Sequence, residues 1–391
     1  MTIGDNIIIK WKEVNILSGF LRSLKNFFRQ IDIKLLIVAL VASTFGMVLI
    51  ASATQSMGSG SFLKVQLVAT VVGIGLYLML SWLDLDSVSS WWKYVYIANL
   101  LLICSLIFFG TGSEETGNRA WIRFGSIGIQ PAEFGKILFI LAFAGHVDSL
   151  RDRLDSPFSV ILLGIHALIP ISLLYAVSSD LGSSLVYMVI FVVMMFCAGI
   201  KLRWFGGALV TLGAASPFIW KYFLREDQKM RVLVVFNPEL DPLGRGYHAI
   251  QSKIAIGSGQ LFGRGLGQGT QTQLGYLPAK QTDFIFSVAG EELGLIGCIA
   301  VIVVLSLIIV RCLSITMRSS SFSSFLICAG VSAMLIAQTV ENIGMCTGLL
   351  PVIGLTLPLF SYGGSSVLAV YMALGLISSA RMKAVPSRLS N

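Results

Sequence analysis

Long apolar runs alternate with short polar breaks along the whole chain. The runs lie at about 33–53, 62–82, 92–110, 131–147, 158–177, 181–200, 204–223, 283–310, 322–346 and 357–380. Each is close to the ~20 residues that cross ~30 Å of hydrocarbon as a helix. Open strands could not satisfy their N–H and C=O groups in lipid, so every run is read as a helix. The run 131–147 is the weakest of the ten, because it carries Glu133 and Lys136. The expected fold is an all-α polytopic membrane protein, a bundle of about ten transmembrane helices over 33–380. A basic segment, 1–32, precedes it and a short tail, 381–391, follows. The first run ends in Ala51-Ser52-Ala53, a peptidase-like triplet. Its full bilayer length and long basic leader argue instead for an uncleaved helix.

The polar breaks set the orientation. Sixteen lysines and arginines fall on the side of the N-terminus, whereas the short loops opposite hold only Arg119 and Arg123. By the positive-inside rule both termini are cytoplasmic. Only 83–91 breaks the pattern, with Asp84 and Asp86 lacking nearby lysines. One break is unlike the others: 224–282, on the outer side, holds Asn237-Pro238, Asp241-Pro242-Leu243-Gly244 and glycines at 257, 259, 263, 265, 267 and 269. A connection of that length in a compact bundle is usually functional.

Composition agrees with the pattern and removes alternatives. Of 391 residues, 55% are hydrophobic and 12% charged, against roughly a quarter charged in soluble domains. A soluble enzyme, a secreted disulfide scaffold and a disordered chain are excluded. The formal charge of +8 belongs to membrane sidedness, so no nucleic-acid partner is inferred. The six cysteines lie in or beside apolar runs without a CxxC, and the three histidines form no HExxH. Neither a disulfide framework nor a protein-only transition-metal site is indicated.

With so few charges, each ionisable group at membrane depth is informative. Glu133 and Lys136 are spaced i,i+3 just after Gln130-Pro131, a good helix start. They form either a local ion pair or the polar lining of a cavity open to the outer face. Asp180, at the start of the sixth run, is either a helix cap or part of that lining. Asp283 stands where the long loop enters the eighth run, against Phe284, Ile285 and Phe286. Thr282 is free to cap that helix, which leaves Asp283 available. An apolar flank raises a carboxylate's pKa while Lys280 or a helix N-terminus lowers it, and such tuning suits a general base. Glu291 and Glu292 lie deeper and are expected to pair within the bundle. The run 257–269 reads either as a mobile loop or, with Lys253, Arg264 and Lys280, as a backbone cradle for pyrophosphate. Ser361-Tyr362-Gly363-Gly364-Ser365-Ser366 is expected to unwind or kink the tenth helix.

Five segments carry a resemblance. They are Gly117-Asn118-Arg119-Ala120-Trp121-Ile122 leading to Gln130-Pro131-Ala132-Glu133-Phe134-Gly135-Lys136; Ser179-Asp180-Leu181-Gly182; Asn237-Pro238 through Asp241-Pro242-Leu243-Gly244-Arg245-Gly246-Tyr247; Thr282-Asp283-Phe284-Ile285-Phe286; and Ser361 through Ser366. In these the chain resembles the shape, elongation, division and sporulation (SEDS) family of bacterial cell-wall polymerases. The stretches Gln251 through Gly259 and Gly269 through Gln273 are closer to the elongation branch than to the division branch.

The resemblance implies a peptidoglycan glycosyltransferase that polymerises lipid II at the outer face of the bacterial cytoplasmic membrane. Asp283 matches the family's essential aspartate and becomes the candidate general base. It would take the proton from the acceptor's 4-hydroxyl, and that oxygen would displace undecaprenyl pyrophosphate from the donor with inversion. Glu133, Lys136 and Asp180 match polar positions of the family's cavity. Arg119, Arg231, Lys253 and Lys280 become candidates for the pyrophosphate, and Gln251, Ser361, Gly363 and Gly364 for substrate contact. A divalent cation, Mg or Mn, is a possible helper, and a class B penicillin-binding protein the implied partner. Two departures stand out: Gln281 replaces the family's frequent histidine, and Ser178-Ser179 its frequent Gln-Pro. The rival readings are a lipid II flippase, a division- or sporulation-specific polymerase, and a non-catalytic scaffold.

Overall fold

The computed structural model describes residues 30–57, 60–112, 119–124, 127–242 and 244–384. Most of the basic leader, the end of the tail, Gly117, Asn118 and Leu243 therefore lie outside the described residues. All ten apolar runs are helices. They are α1 (Ile33–Thr54), α2 (Ser61–Ser81), α4 (Trp92–Phe109), α5 (Pro131–Ser149), α6 (Pro157–Ser178), α7 (Leu181–Cys197), α8 (Leu202–Phe218), α12 (Ile285–Thr316), α13 (Phe322–Thr347) and α14 (Gly364–Ala384). The remaining helices are short: α3 (Leu85–Ser90), α9 (Glu226–Phe236), α10 (Arg245–Ser258) and α11 (Thr270–Gln273). Seven of the described helices are long and apolar enough to cross a membrane on those grounds alone. The other three expected spans fall outside that set for visible reasons. Helices α7 and α8 have 17 residues each, and α5 carries Glu133, Lys136, His146 and Asp148.

Helix α5 tolerates those groups because it is central. Nearly all of it from Pro131 to Val147 is buried, and α13 and α14 pack beside it with similarly enclosed faces. Around them α1, α2, α4 and α6 turn residues such as Val68, Leu101, Phe108 and Ile161 outward. In water such a surface would drive association; in lipid it is the solvated face. Helix α8 buries no residue at all.

The helical architecture is as expected, with three details added. A small three-stranded antiparallel sheet, β1 (Gly110–Thr111), β2 (Trp121–Phe124) and β3 (Ile127–Ile129), accompanies the helices. Its alternating Trp121 and Ile122 favour a pleated surface, and it lies beyond the helix ends. The long loop forms α9, α10 and α11, and its glycine run 257–269 docks on α12 rather than standing free. The tenth run is unwound at its glycines, as expected, and its helix begins only at Gly364. Residues 351–363 ahead of it form an irregular segment in which Leu357 N–H donates to Ser361 Oγ (2.8 Å) and Leu359 takes φ 65°.

The docking of the long loop has a specific cause. Helix α12 breaks at Gly294 (φ 68°, ψ −161°), which frees peptide groups on both sides. Arg264 N–H donates to Glu291 O (3.0 Å) and Gly265 N–H to Glu292 O (2.9 Å). In return Leu295 N–H donates to Gln260 O (2.8 Å) and Ile296 N–H to Leu261 O (3.3 Å). The glycine-rich run thus completes the broken helix, and its N–H groups are not available as an anion cradle.

Candidate active site

The N-termini of α5, α7, α12 and α14 and the C-terminus of α13 converge at one end of the bundle, beside the small sheet. Asp283 sits there in the turn before α12, outside the membrane-spanning helix, and is half-buried. Thr282 does not cap α12. Its Oγ1 donates to Ala279 O (3.2 Å), and the capping residue is Phe284 with no side-chain bond. The turn is held instead from outside. Asn342 of α13, fully buried, donates through Nδ2 to Asp283 O (2.8 Å) and Leu355 O (2.7 Å). Ser361 Oγ donates to Thr282 O (2.6 Å), and Tyr362 N–H to Gln281 O (2.8 Å). Gln66 of α2 closes the far side, donating to Ser361 O (3.1 Å) and accepting from Gly363 N–H (3.2 Å). The carboxylate of Asp283 itself carries no ion pair among the described residues.

Its surroundings tune it. A Cβ placed on Gly354, which has φ 77°, would lie 3.4 Å from Asp283 Oδ2, so segment 351–363 closes over the carboxylate. Burial pushes its pKa up to about 6; Asp180 pushes the same way and the Thr282 hydroxyl opposes. Asp180 does cap α7: its carboxylate accepts from Ser183 N–H (2.9 Å) and Ser183 Oγ (2.8 Å), and from Gln130 Nε2 at 3.3 Å. The cap reading is therefore right, and the residue also faces Asp283. Glu133 and Lys136 form a buried ion pair (Nζ–Oε1 2.6 Å) one turn into α5. An enclosed pair contributes little net stability, but losing either partner strands a charge.

The remaining sequence candidates divide. Arg231 and Lys253 flank a narrow crevice with Gly348, Leu350 and Val352, on the strand of chain leading to Gly354. Gln251 is half-buried on the same helix as Lys253, its Oε1 unbonded among the described residues. Ser252 anchors that helix, α10, by donating to Cys346 O (2.6 Å), and it meets Ser287 Oγ at 2.6 Å. Gly364 starts α14, and Ser365 joins it to the sheet by donating to Gly128 O (3.4 Å) and to the start of α5 by accepting from Gln130 N–H (3.1 Å). Arg119 is exposed just ahead of β2. Lys280 is not brought to the site: it is buried and donates to Thr272 O (2.5 Å) and Ser56 Oγ (2.8 Å). Of Glu291 and Glu292, only Glu292 bonds to another helix of the bundle, α1. Glu291 receives Gln271 N–H (2.7 Å) and Thr272 N–H (2.9 Å) of α11, and Glu292 receives Ser52 Oγ and Gln273 Nε2. These contacts fasten the loop to α12 and α1.

Sequence reading missed Asn342, Gln66 and Gln130. The signal was present, since each is a polar side chain within or at the edge of an apolar run. It also missed a pair at the opposite end, where His146 and His166 meet Nδ1 to Nδ1 at 2.8 Å. Among the described residues no group of three or more His, Cys, Asp or Glu could hold a metal ion.

Comparison with known proteins bears on this arrangement. The family model for FtsW, RodA and SpoVE, described as "Cell cycle protein", matches residues 32–385. The peptidoglycan glycosyltransferase MrdB of Escherichia coli (strain K12) is 33% identical over 351 residues, 90% of this chain and 93% of that one. A chain from a structure titled "Structural coordination of polymerization and crosslinking by a peptidoglycan synthase complex" superposes with TM-score 0.77 at 29% identity, covering 91% of this chain and 99% of that one. The rod shape determining protein RodA of Thermus thermophilus superposes with TM-score 0.67 at 28% identity, over 90% and 96% of the two chains.

Proposed function

The chain belongs to the FtsW, RodA and SpoVE family of cell cycle proteins, and from that membership we propose that Asp283 is the general base of its glycan polymerisation. The activity is that of a peptidoglycan glycosyltransferase, in line with its relatives, and its place is in cell elongation and rod shape. The acceptor is the lipid-linked disaccharide lipid II, whose N-acetylglucosamine 4-hydroxyl loses its proton to Asp283. The oxygen attacks the anomeric carbon of the donor's N-acetylmuramic acid from the face opposite the leaving group. The glycosidic bond forms, the bond to undecaprenyl pyrophosphate breaks, and the configuration inverts.

One observation carries the reading: a half-buried carboxylate, pushed up to about 6 and unpaired among the described residues, is clamped by its backbone where four helix N-termini meet. At neutral pH such a group is mostly ionised yet still a useful proton acceptor. The aligned peptide dipoles at those N-termini favour the departing pyrophosphate. Arg231, Lys253 and Arg119 supply positive charge for it. A divalent cation would serve as counter-charge on the pyrophosphate. The residues present make no cage for it, because the oxygens of Asp180 are already taken by Ser183 and Gln130, so no step is routed through it. In this proposal both termini are cytoplasmic, the site opens outward, and a class B penicillin-binding protein crosslinks the product. A flippase would need a polar path between the two ends. The buried Phe139, Ile140, Phe143 and Met194 fill the middle of the bundle instead.

The test uses the purified full chain with fluorescent lipid II, with and without a class B penicillin-binding protein, and products resolved on a gel. Glycan ladders are expected from the wild type and none from Asp283→Asn at equal abundance. Ladders that persist in Asp283→Asn remove the base assignment, and lipid movement without polymer replaces the activity.

A further inference from the structure

At the end of the bundle opposite Asp283 lies a polar cavity of about 590 Å³. Its walls come from α3, the first residue of α4, the end of α5 with Arg151 beyond it, and the turn into α13 with that helix's first residues. Three charged side chains line it: Asp86, Asp148 and Arg151. None of them forms an ion pair among the described residues. Each carboxylate is oriented by one hydroxyl at the start of α13, Asp86 Oδ1 by Ser321 Oγ (2.5 Å) and Asp148 Oδ2 by Ser323 Oγ (2.9 Å). Ser323 is buried and in turn receives Ser89 Oγ (3.0 Å). The guanidinium of Arg151 rests over the Phe322 ring, 4.6 Å from its centroid, which leaves its N–H edges open. Charges of opposite sign thus face one cavity without neutralising each other.

The depth of the cavity identifies its neighbours. Trp82 and Trp91, in the turns before and after α3, and Tyr94 in the first turn of α4 are all exposed. Exposed tryptophan and tyrosine at helix ends mark the headgroup level of a bilayer. Trp92 of the cavity wall lies in the same tier.

We propose that this cavity binds the phosphoethanolamine headgroup of a membrane phospholipid, with its ammonium between Asp86 and Asp148 and its phosphodiester on Arg151. A primary ammonium offers three N–H donors to carboxylates and serine hydroxyls, which a trimethylated ammonium lacks. A phosphatidylglycerol headgroup brings negative charge alone and meets two carboxylates. A guanidinium suits the planar approach of phosphate oxygens. The mixed-charge lining therefore selects a zwitterion, and the aromatic tier selects a lipid as its source.

Native mass spectrometry of the full chain, released from micelles containing equal phosphatidylethanolamine, phosphatidylcholine and phosphatidylglycerol, tests the assignment. Wild type is expected to retain one phosphatidylethanolamine with at least tenfold preference. The double variant Asp86→Asn/Asp148→Asn and, separately, Arg151→Gln are expected to lose that preference. Ser320→Trp, an exposed turn position that fills the cavity and removes no charge, guards against misfolding and is expected to abolish retention at unchanged melting temperature. Equal retention of phosphatidylglycerol by the wild type, or unchanged retention in Ser320→Trp, overturns the proposal. A separate arm adds soluble O-phosphoethanolamine: displacement only at large excess fits a lipid, whereas binding as tight as the lipid's overturns the lipid source.

Discussion

Asp283 shows how much a single carboxylate depends on its setting. Its pKa near 6 comes first from burial and then from Asp180, so the base form is lost as pH falls through 6. Polymerisation is expected to rise with pH to a plateau above 7 and to stand about tenfold lower at pH 5; initial rates of lipid II consumption across pH check this. For stability the sign is opposite to that of a salt-bridged aspartate. A raised carboxyl pKa means that the folded state favours the protonated form, so stability falls as pH rises from 3.8 through about 6 and stays lower above it. Asp283→Asn should therefore match or exceed the wild type in melting temperature at pH 7.5 while inactive. Asn342 acts one step back, on the backbone carbonyls of Asp283 and Leu355. Replacing it with leucine strands two buried acceptors, at about 1–3 kcal/mol each. Asn342→Leu is expected to melt lower and to polymerise at least tenfold more slowly, with the acidic limb broadened as Asp283 loses its fixed position.

At the scale of elements, the broken α12 and the glycine run are one unit. Gly263 has φ 78°, and a Cβ there would collide with Glu292 O. Alanine is strained in that backbone region and also displaces the inserted peptide. Gly263→Ala is expected to cost about 1–3 kcal/mol locally, seen as faster amide exchange in 257–273 with α13 and α14 unaffected. Unchanged exchange in the loop would show that its docking does not depend on this close approach. From the sequence, the glycines identified a special loop but not its partner. The break at Gly294, the receptor for that loop, is an ordinary glycine within a long apolar run. Lys280 was misjudged for a related reason: besides nearby Thr272 of α11, it is held by Ser56 just past α1, 224 residues away in the chain. Burial holds its ammonium below the usual lysine range, against the pull of Glu292 and Glu291.

Across the whole molecule, the first and last helices are tied together at the face opposite the site. Asp32, fully buried at the start of α1, pairs with Arg311 of α12 (2.7 Å) and Arg381 of α14 (3.4 Å). Ser378 Oγ accepts its N–H and Tyr77 donates to its carbonyl. Asp32→Ala leaves two arginines without their carboxylate, and breaking such a buried network costs about 3–5 kcal/mol. A fall of several degrees in melting temperature, at pH 7, is the expected reading. A second tie resolves the uneven charge at 83–91: Asp84 pairs with Lys383 of α14, which holds its carboxyl down to about 2. Local counting could not supply that lysine, since it lies 299 residues on.

The sequence by itself determined that the chain is a many-helix membrane protein and where its ten apolar helices lie. It also singled out Asp283, Asp180 and the Glu133–Lys136 pair. Each of these rests on short-range physics: hydrocarbon demands satisfied backbones, and charge within or beside apolar runs is rare enough to count. Only the tertiary structure decided what those groups do. It made Asp180 a cap that also faces Asp283, removed Lys280 from the site, and spent the glycine run on the break in α12. It brought Asn342, Gln66 and Gln130 to the Asp283 turn and gathered Asp86, Asp148 and Arg151 around a cavity. Hydrogen bonds and charges act over a few ångströms, and which groups come that close depends on helices far apart in the chain.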